Sequence, residues 1–114
     1  MSGITTHILD ISIGRPATGV MVRLDRQRND GEWEPVGSQT TDGDGRARDL
    51  VPDGETLMTA VHRLTFDVGQ YFTSKQVECF YPEVTIAFKV SDVSQHYHVP
   101  LLLSPFGYST YRGS

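Results

Sequence analysis

The chain has one cysteine, Cys79, among its 114 residues. A disulfide within one chain is therefore excluded, and so is a cluster of thiolates around a metal. Long apolar runs are missing too, since none approaches the ~18–20 residues that a membrane-spanning helix needs. Nor is there an excess of positive charge. Ten Lys and Arg stand against 14 Asp and Glu, for a formal net charge of −4, and the basic residues are scattered. A nucleic-acid binder of this size would carry a basic stripe, so no nucleic-acid partner is expected. The opening MSGITTHILD lacks the charged start and apolar stretch of a secretory signal, and the closing YRGS is no retention, peroxisomal or prenylation signal. The expected location is the cytoplasm. There is no HExxH, no CxxC and no phosphate-binding loop, and Ser109 in GYSTY lacks the second glycine of a nucleophile elbow.

What is present describes one small domain, residues 1–114, with 38% hydrophobic content, 11 glycines and 6 prolines. A domain of this size buries roughly two-thirds of its unfolded surface, enough for a core without staples. It has little wall left for a deep cleft, so any catalytic pocket should be shallow or shared with another copy. Hydrophobic periodicity is mostly two. In VMVRLDRQ, Val20, Val22 and Leu24 take one side while Met21, Arg23 and Asp25 take the other, the alternation of a half-buried strand. The preceding IGRPATG reads as a turn, and Asn29-Asp30-Gly31 as a hairpin leading to a returning strand near Trp33 to Gln39. Short strands are expected within Arg46 to Val51 and Leu57 to Phe66. VTIAFKV, Val84 to Val90, is the clearest strand, and HYHVPLLLS pairs with FGYSTYR across Ser104 to Gly107. One short helix is expected near residues 70–77, stopped by Pro82. Seven or eight short strands with frequent turns argue an all-β sandwich.

Few residues carry a chemical signal on their own. TDGDGR has the opening of a calcium-binding loop but not its later ligands or closing Glu, and reads as a turn. His96 and His98 flank Tyr97 and should project from one face. Such a pair can hold zinc only if a third ligand arrives from elsewhere, and no cysteine or carboxylate clusters nearby. His7 shares a mostly apolar side with Thr5, Leu9 and Ile11, which is ordinarily the place of a hydrogen-bonded core histidine. His62 has no companion signal. Arg46 and Arg48 leave the turn on the same side, and position alone favours neither.

The segment HYHVPLLLSPFGYSTYRGS closely resembles the C-terminal signature of the 5-hydroxyisourate hydrolases, the transthyretin-like enzymes of urate breakdown. Agreement continues upstream through the His-Ile-Leu-Asp segment at His7, GRPATGVMVRL, TDGDGR at Arg46 and GQYF…CFYPEVTIAF, so it covers essentially the whole chain. The related hormone carriers lack YRGS and the paired histidines. The resemblance implies a transthyretin-like β-sandwich of two four-stranded sheets with one short helix, assembled as a homotetramer with active sites where subunits meet. It implies a hydrolase that opens 5-hydroxyisourate to 2-oxo-4-hydroxy-4-carboxy-5-ureidoimidazoline without a metal or other cofactor. Carried over by position, the catalytic residues are His7, Arg46 rather than Arg48, His98 rather than His96, and Ser114. Substrate binding falls to His7, Arg46 and Tyr111. The competing expectation is a non-enzymatic carrier holding a small aromatic ligand in a tetramer channel. A zinc hydrolase built on His96 and His98 is a weaker third.

Overall fold

The computed structural model describes residues 3–114. Its elements run β1 (Ile4–Asp10), β2 (Arg15–Pro16), β3 (Met21–Gln27), β4 (Trp33–Thr40), β5 (Arg46–Ala47), β6 (Ala60–Phe66), α1 (Val68–Ser74), β7 (Val84–Val90), β8 (Tyr97–Ser104) and β9 (Gly107–Thr110). One sheet has the order β4-β3-β6-β7, and the other has β2-β1-β8-β9 with β5 also paired to β1. Two-residue β2 and β5 share one edge: β2 pairs with Leu9 and Asp10, β5 with Thr6 and His7. The second sheet is thus four strands wide with a split edge. Every pairing is antiparallel except β1 with β8, which is parallel and joins the chain's beginning to its end.

The core lies between the sheets. Val22 and Leu24 of β3, Leu64 and Phe66 of β6, and Leu101 and Leu103 of β8 all point into it. The period-two reading of β3 holds, and β7 spans the residues expected of it. Other boundaries moved. The Arg46–Val51 segment forms only a two-residue strand, β6 begins at Ala60 rather than Leu57, and the IGRPATG turn contains β2. The helix starts earlier than 70–77 because Asp67 caps it, its side chain accepting from the Gln70 N–H. It ends at Ser74, with Gln76 turning into the left-handed region at φ 60°, well before Pro82.

One face was misread. The core side of β1 is Ile4, Thr6, Ile8 and Asp10, while Thr5, His7 and Leu9 face outward and Ile11 is 53% exposed. Asp10 can be buried because its carboxylate accepts from the Tyr71 hydroxyl of α1 at 2.8 Å and from the hydroxyl and N–H of Ser12. Thr6 reaches the Val99 carbonyl at 2.6 Å. Polar residues on a core face hid its direction, so His7 is not a core histidine.

The histidine that is in the core is His62. It is fully buried in β6, with Nδ1 near the Ala60 carbonyl at 3.1 Å, its ring stacked on Phe88, and Nε2 without a partner among the described residues. Burial, with a smaller contribution from Arg26, holds its pKa below the ordinary 6.5. The unfolded chain therefore binds a proton near pH 6.5 that the folded chain resists, and stability falls as pH drops below that value. Calorimetric melting of wild type and His62→Leu from pH 7.5 to 5 should show a shallower loss in the variant. Identical slopes would remove His62 from the acid response.

Candidate active site

The outward face of β1 and β8 collects the candidate residues in two rows. The parallel register sets Thr5 beside His98 and His7 beside Pro100, while β5 sets Arg46 beside His7. Alternation then puts all these side chains on one face, because Ile4, Thr6, Tyr97 and Val99 occupy the other. Thr5, Thr6, Arg46, Arg48, His96, His98 and Ser114 line a shallow, open pocket of about 210 Å³. His7 flanks it through Arg46.

The turn before β5 aims Arg46. Asp42 accepts through its carboxylate from the N–H groups of Asp44 at 2.9 Å and Arg46 at 3.0 Å. These bonds keep the Asp42 pKa below the usual carboxylate value. Gly45 adopts φ +74°, and a Cβ there would stand 2.5 Å from the Ile8 carbonyl oxygen, so the turn closes against β1 only with glycine. TDGDGR is thus an arginine-aiming turn.

The C-terminal segment reaches the same face from the other side. Beyond β9, Gly113 forms a bridge with His98, its N–H donating to the His98 carbonyl at 2.8 Å. Arg112 lies 4.5 Å over the Tyr97 ring and donates to the Gln95 side chain at 2.9 Å. These contacts carry Ser114 to the pocket. Tyr111 goes elsewhere. It is 58% exposed and lines a separate cavity with Ile86, Phe88, Tyr97 and Arg112.

Electrostatics tie the cluster together. The pKa of His98 is lowered by burial first, then by Arg46, His7 and His96, with the Thr5 carbonyl opposing. His7 is lowered by burial first, then by Arg46, while the Asp44 carbonyl and the Asp42 and Asp44 charges oppose. Both imidazoles are therefore held neutral near pH 7, beside a guanidinium that stays charged. The arrangement offers two proton acceptors and one fork of donors beside a small concavity, which suits attack of water on a carbonyl group.

Thr5 is the residue that sequence reasoning missed. Its Oγ1 lies 2.9 Å from His96 Nε2 and 2.8 Å from His98 Nδ1, while the residue is only 7% exposed. The two histidines do converge, as their spacing suggests, but onto a hydroxyl. Among the described residues no three His, Cys, Asp or Glu side chains come together as a metal site. Period-two alternation from His7 was the one available signal for Thr5.

Residues 4–113 match the HIUase/Transthyretin family model, and the chain belongs to that family. It is 50% identical, over all of both chains, to a 5-hydroxyisourate hydrolase of Caulobacter vibrioides. The solved Klebsiella pneumoniae 5-hydroxyisourate hydrolase superposes with a TM-score of 0.83 at 35% identity, covering 97% of this chain and 92% of that one. Sea bream transthyretin, solved in complex with thyroxine, superposes with a TM-score of 0.91 at 28% identity, covering 98% and 95%. The two-sheet scaffold is thus shared with a 5-hydroxyisourate hydrolase and with a thyroxine-bound transthyretin, and discrimination rests on the side chains.

Proposed function

We propose that this protein hydrolyses 5-hydroxyisourate, opening its six-membered ring at an amide-type C–N bond to give 2-oxo-4-hydroxy-4-carboxy-5-ureidoimidazoline. The observation that carries this reading is the convergence of His7, Arg46, His98 and Ser114 on one outward face, in a chain half identical to a named 5-hydroxyisourate hydrolase. Carriage of an aromatic ligand, the alternative, has no use for two neutral imidazoles beside a guanidinium.

His98 and His7 handle protons: one takes a proton from the attacking water, and the pair returns one to the departing nitrogen. Arg46 grips substrate oxygens and stabilises the charge that builds on the attacked carbonyl. Ser114, at the pocket edge, positions the water. The pocket is too small and open to enclose the substrate alone, and Tyr111 lies outside it. Both facts support a homotetramer in which the face of one subunit is closed by another and Tyr111 binds substrate across the interface. No described helix is long and apolar enough to cross a membrane. A lone thiol at Cys79 suits a reducing cytoplasm.

The general base must be unprotonated, and both histidines are held below 6.5. The acid limb of kcat/KM should therefore fall below pH 6.5, with activity level through neutrality. Mass spectrometry of the product made in 18O-water should find the label in the new carboxylate. An acid limb above pH 6.5 would overturn the proton-handling assignment, and unlabelled product the hydrolytic one.

A further inference from the structure

His96 is the member of the cluster that the proposed reaction leaves without a task. It is exposed, it precedes β8, and its Nε2 meets the same hydroxyl oxygen as His98 Nδ1. A threonine hydroxyl has one proton to donate and two lone pairs to accept with, so it cannot donate to both rings, and when its proton is spent on one of them it must accept from the other. In that arrangement Thr5 makes the two tautomers interdependent. We infer that Thr5 is a positioning residue that holds His98 with its proton on Nδ1 and its Nε2 bare, and that it couples His98 to His96 as a reversible proton acceptor. The inference rests on the proposed hydrolysis for its catalytic meaning, but the tautomer is a property of the resting protein.

The direction follows from the surroundings of His98. The Thr5 carbonyl sits beside the ring and favours a proton on it, and Nδ1 is the ring nitrogen with a hydrogen-bond partner. With Nδ1–H donating to Thr5 Oγ1, the threonine donates onward to His96 Nε2. Proton movement then balances without any other reactant. When His98 Nε2 takes a proton from water, the Nδ1 proton passes to Thr5 as the Thr5 proton passes to His96 Nε2. His98 is left neutral with Nε2–H, and His96 becomes the cation. The driving force is electrostatic: burial and the Arg46 guanidinium both disfavour a cation on His98. On exposed His96 the charge is solvated. When Nε2–H is given to the departing nitrogen, the chain runs backward and His96 returns its proton. The proton is borrowed and restored within one turnover.

Thr5→Val keeps the shape and removes the hydroxyl, whereas Thr5→Ser keeps it. For Thr5→Val, kcat should fall about 10- to 100-fold, less than the roughly 100- to 10,000-fold contribution of a general base itself. KM should change little and the acid limb should move, because the groups facing His98 would then be Arg46, Arg48, His7 and an uncoupled His96. Thr5→Ser should restore most of the loss. His96→Phe should reproduce part of the Thr5→Val defect. Independently of activity, 15N-detected imidazole NMR should find His98 as the Nδ1–H tautomer in wild type and a mixture in Thr5→Val. An unchanged tautomer together with wild-type kcat in Thr5→Val would overturn the inference, as would an Nε2–H resting tautomer. A protein inactive on 5-hydroxyisourate whose His98 tautomer still responds to Thr5→Val would fault the hydrolase reading and leave the coupling standing.

Discussion

Arg46→Ala should lower turnover of 5-hydroxyisourate by about 100- to 1,000-fold, the cost of losing a main oxyanion donor, while the melting temperature stays within a degree or two of wild type. The separation of the two effects follows from how Arg46 is held. Its backbone closes the turn through Asp42, and its neighbour Ala47 fills the core, so the fold uses everything at this position except the guanidinium. The side chain is partly exposed beside His7 and in the pocket with His98. Arg46→Lys should recover only part of the loss, because an ammonium cannot offer a planar fork to two oxygens. Removing Arg46 also removes a cation that disfavours protonated His7 and His98. The acid limb of the residual activity should accordingly shift toward higher pH. A variant with wild-type kcat and an unmoved acid limb would show that Arg46 does not touch the reacting centre.

The second large effect comes from the smallest residue in the site. A Cβ at Gly113 would stand 2.6 Å from His98 Cδ2 and 3.3 Å from the Pro100 ring. Neither neighbour can yield easily. The His98 ring is held by Thr5, and Pro100 is a buried strand residue in register with His7. Gly113→Ala must therefore push the segment carrying Ser114 away, or tilt the imidazole, by several tenths of an ångström. A displacement of about 1 Å at a reacting centre costs on the order of 100-fold. Stability should fall by only about 0.5–1.5 kcal/mol, the worth of the single bridge to His98. Gly14→Ala is the informative contrast. Gly14 is exposed, adopts φ +66° and has open space around its missing Cβ, so the substitution strains the backbone without nearing the site. It should lower the melting temperature and leave kcat alone. If Gly113→Ala retained full activity, close packing of the C-terminal segment on His98 would not be what places Ser114.

Strand alternation was legible wherever one face is purely apolar, as in β3 and β7. In β1 the alternation held but the core side was mistaken, because Thr6 and Asp10 lie in the core, where Val99, Tyr71 and Ser12 satisfy them. The helix boundary was missed because a single capping carboxylate, Asp67, sets it, and Pro82 drew attention too far downstream. His7, Arg46 and His98 are far apart in sequence, and no spacing rule joins them. The parallel pairing of β1 with β8 brings His7 near His98, and the pairing of β5 with β1 sets Arg46 beside His7, contacts between distant segments that local pattern cannot announce. Only the resemblance of whole segments to a known family brought those positions forward. Thr5 escaped even that, because beyond sharing a side with His7 a threonine in a strand carries no signal until the imidazoles on either side of its hydroxyl are seen.

The shallow pocket also returns the question that chain length raised. On the proposed reading one chain supplies the proton acceptors and the guanidinium, and a second copy the enclosure that the open pocket lacks. Chemistry and assembly should therefore be separable, the first lost with Arg46 and the second with contacts that do not reach the imidazoles.

The most direct test is the ultraviolet decay of freshly generated 5-hydroxyisourate at neutral pH, followed with and without the purified protein. Decay should accelerate in proportion to protein concentration and return nearly to the spontaneous rate with Arg46→Ala. Decay at the spontaneous rate in the presence of folded wild-type protein would contradict the hydrolase reading.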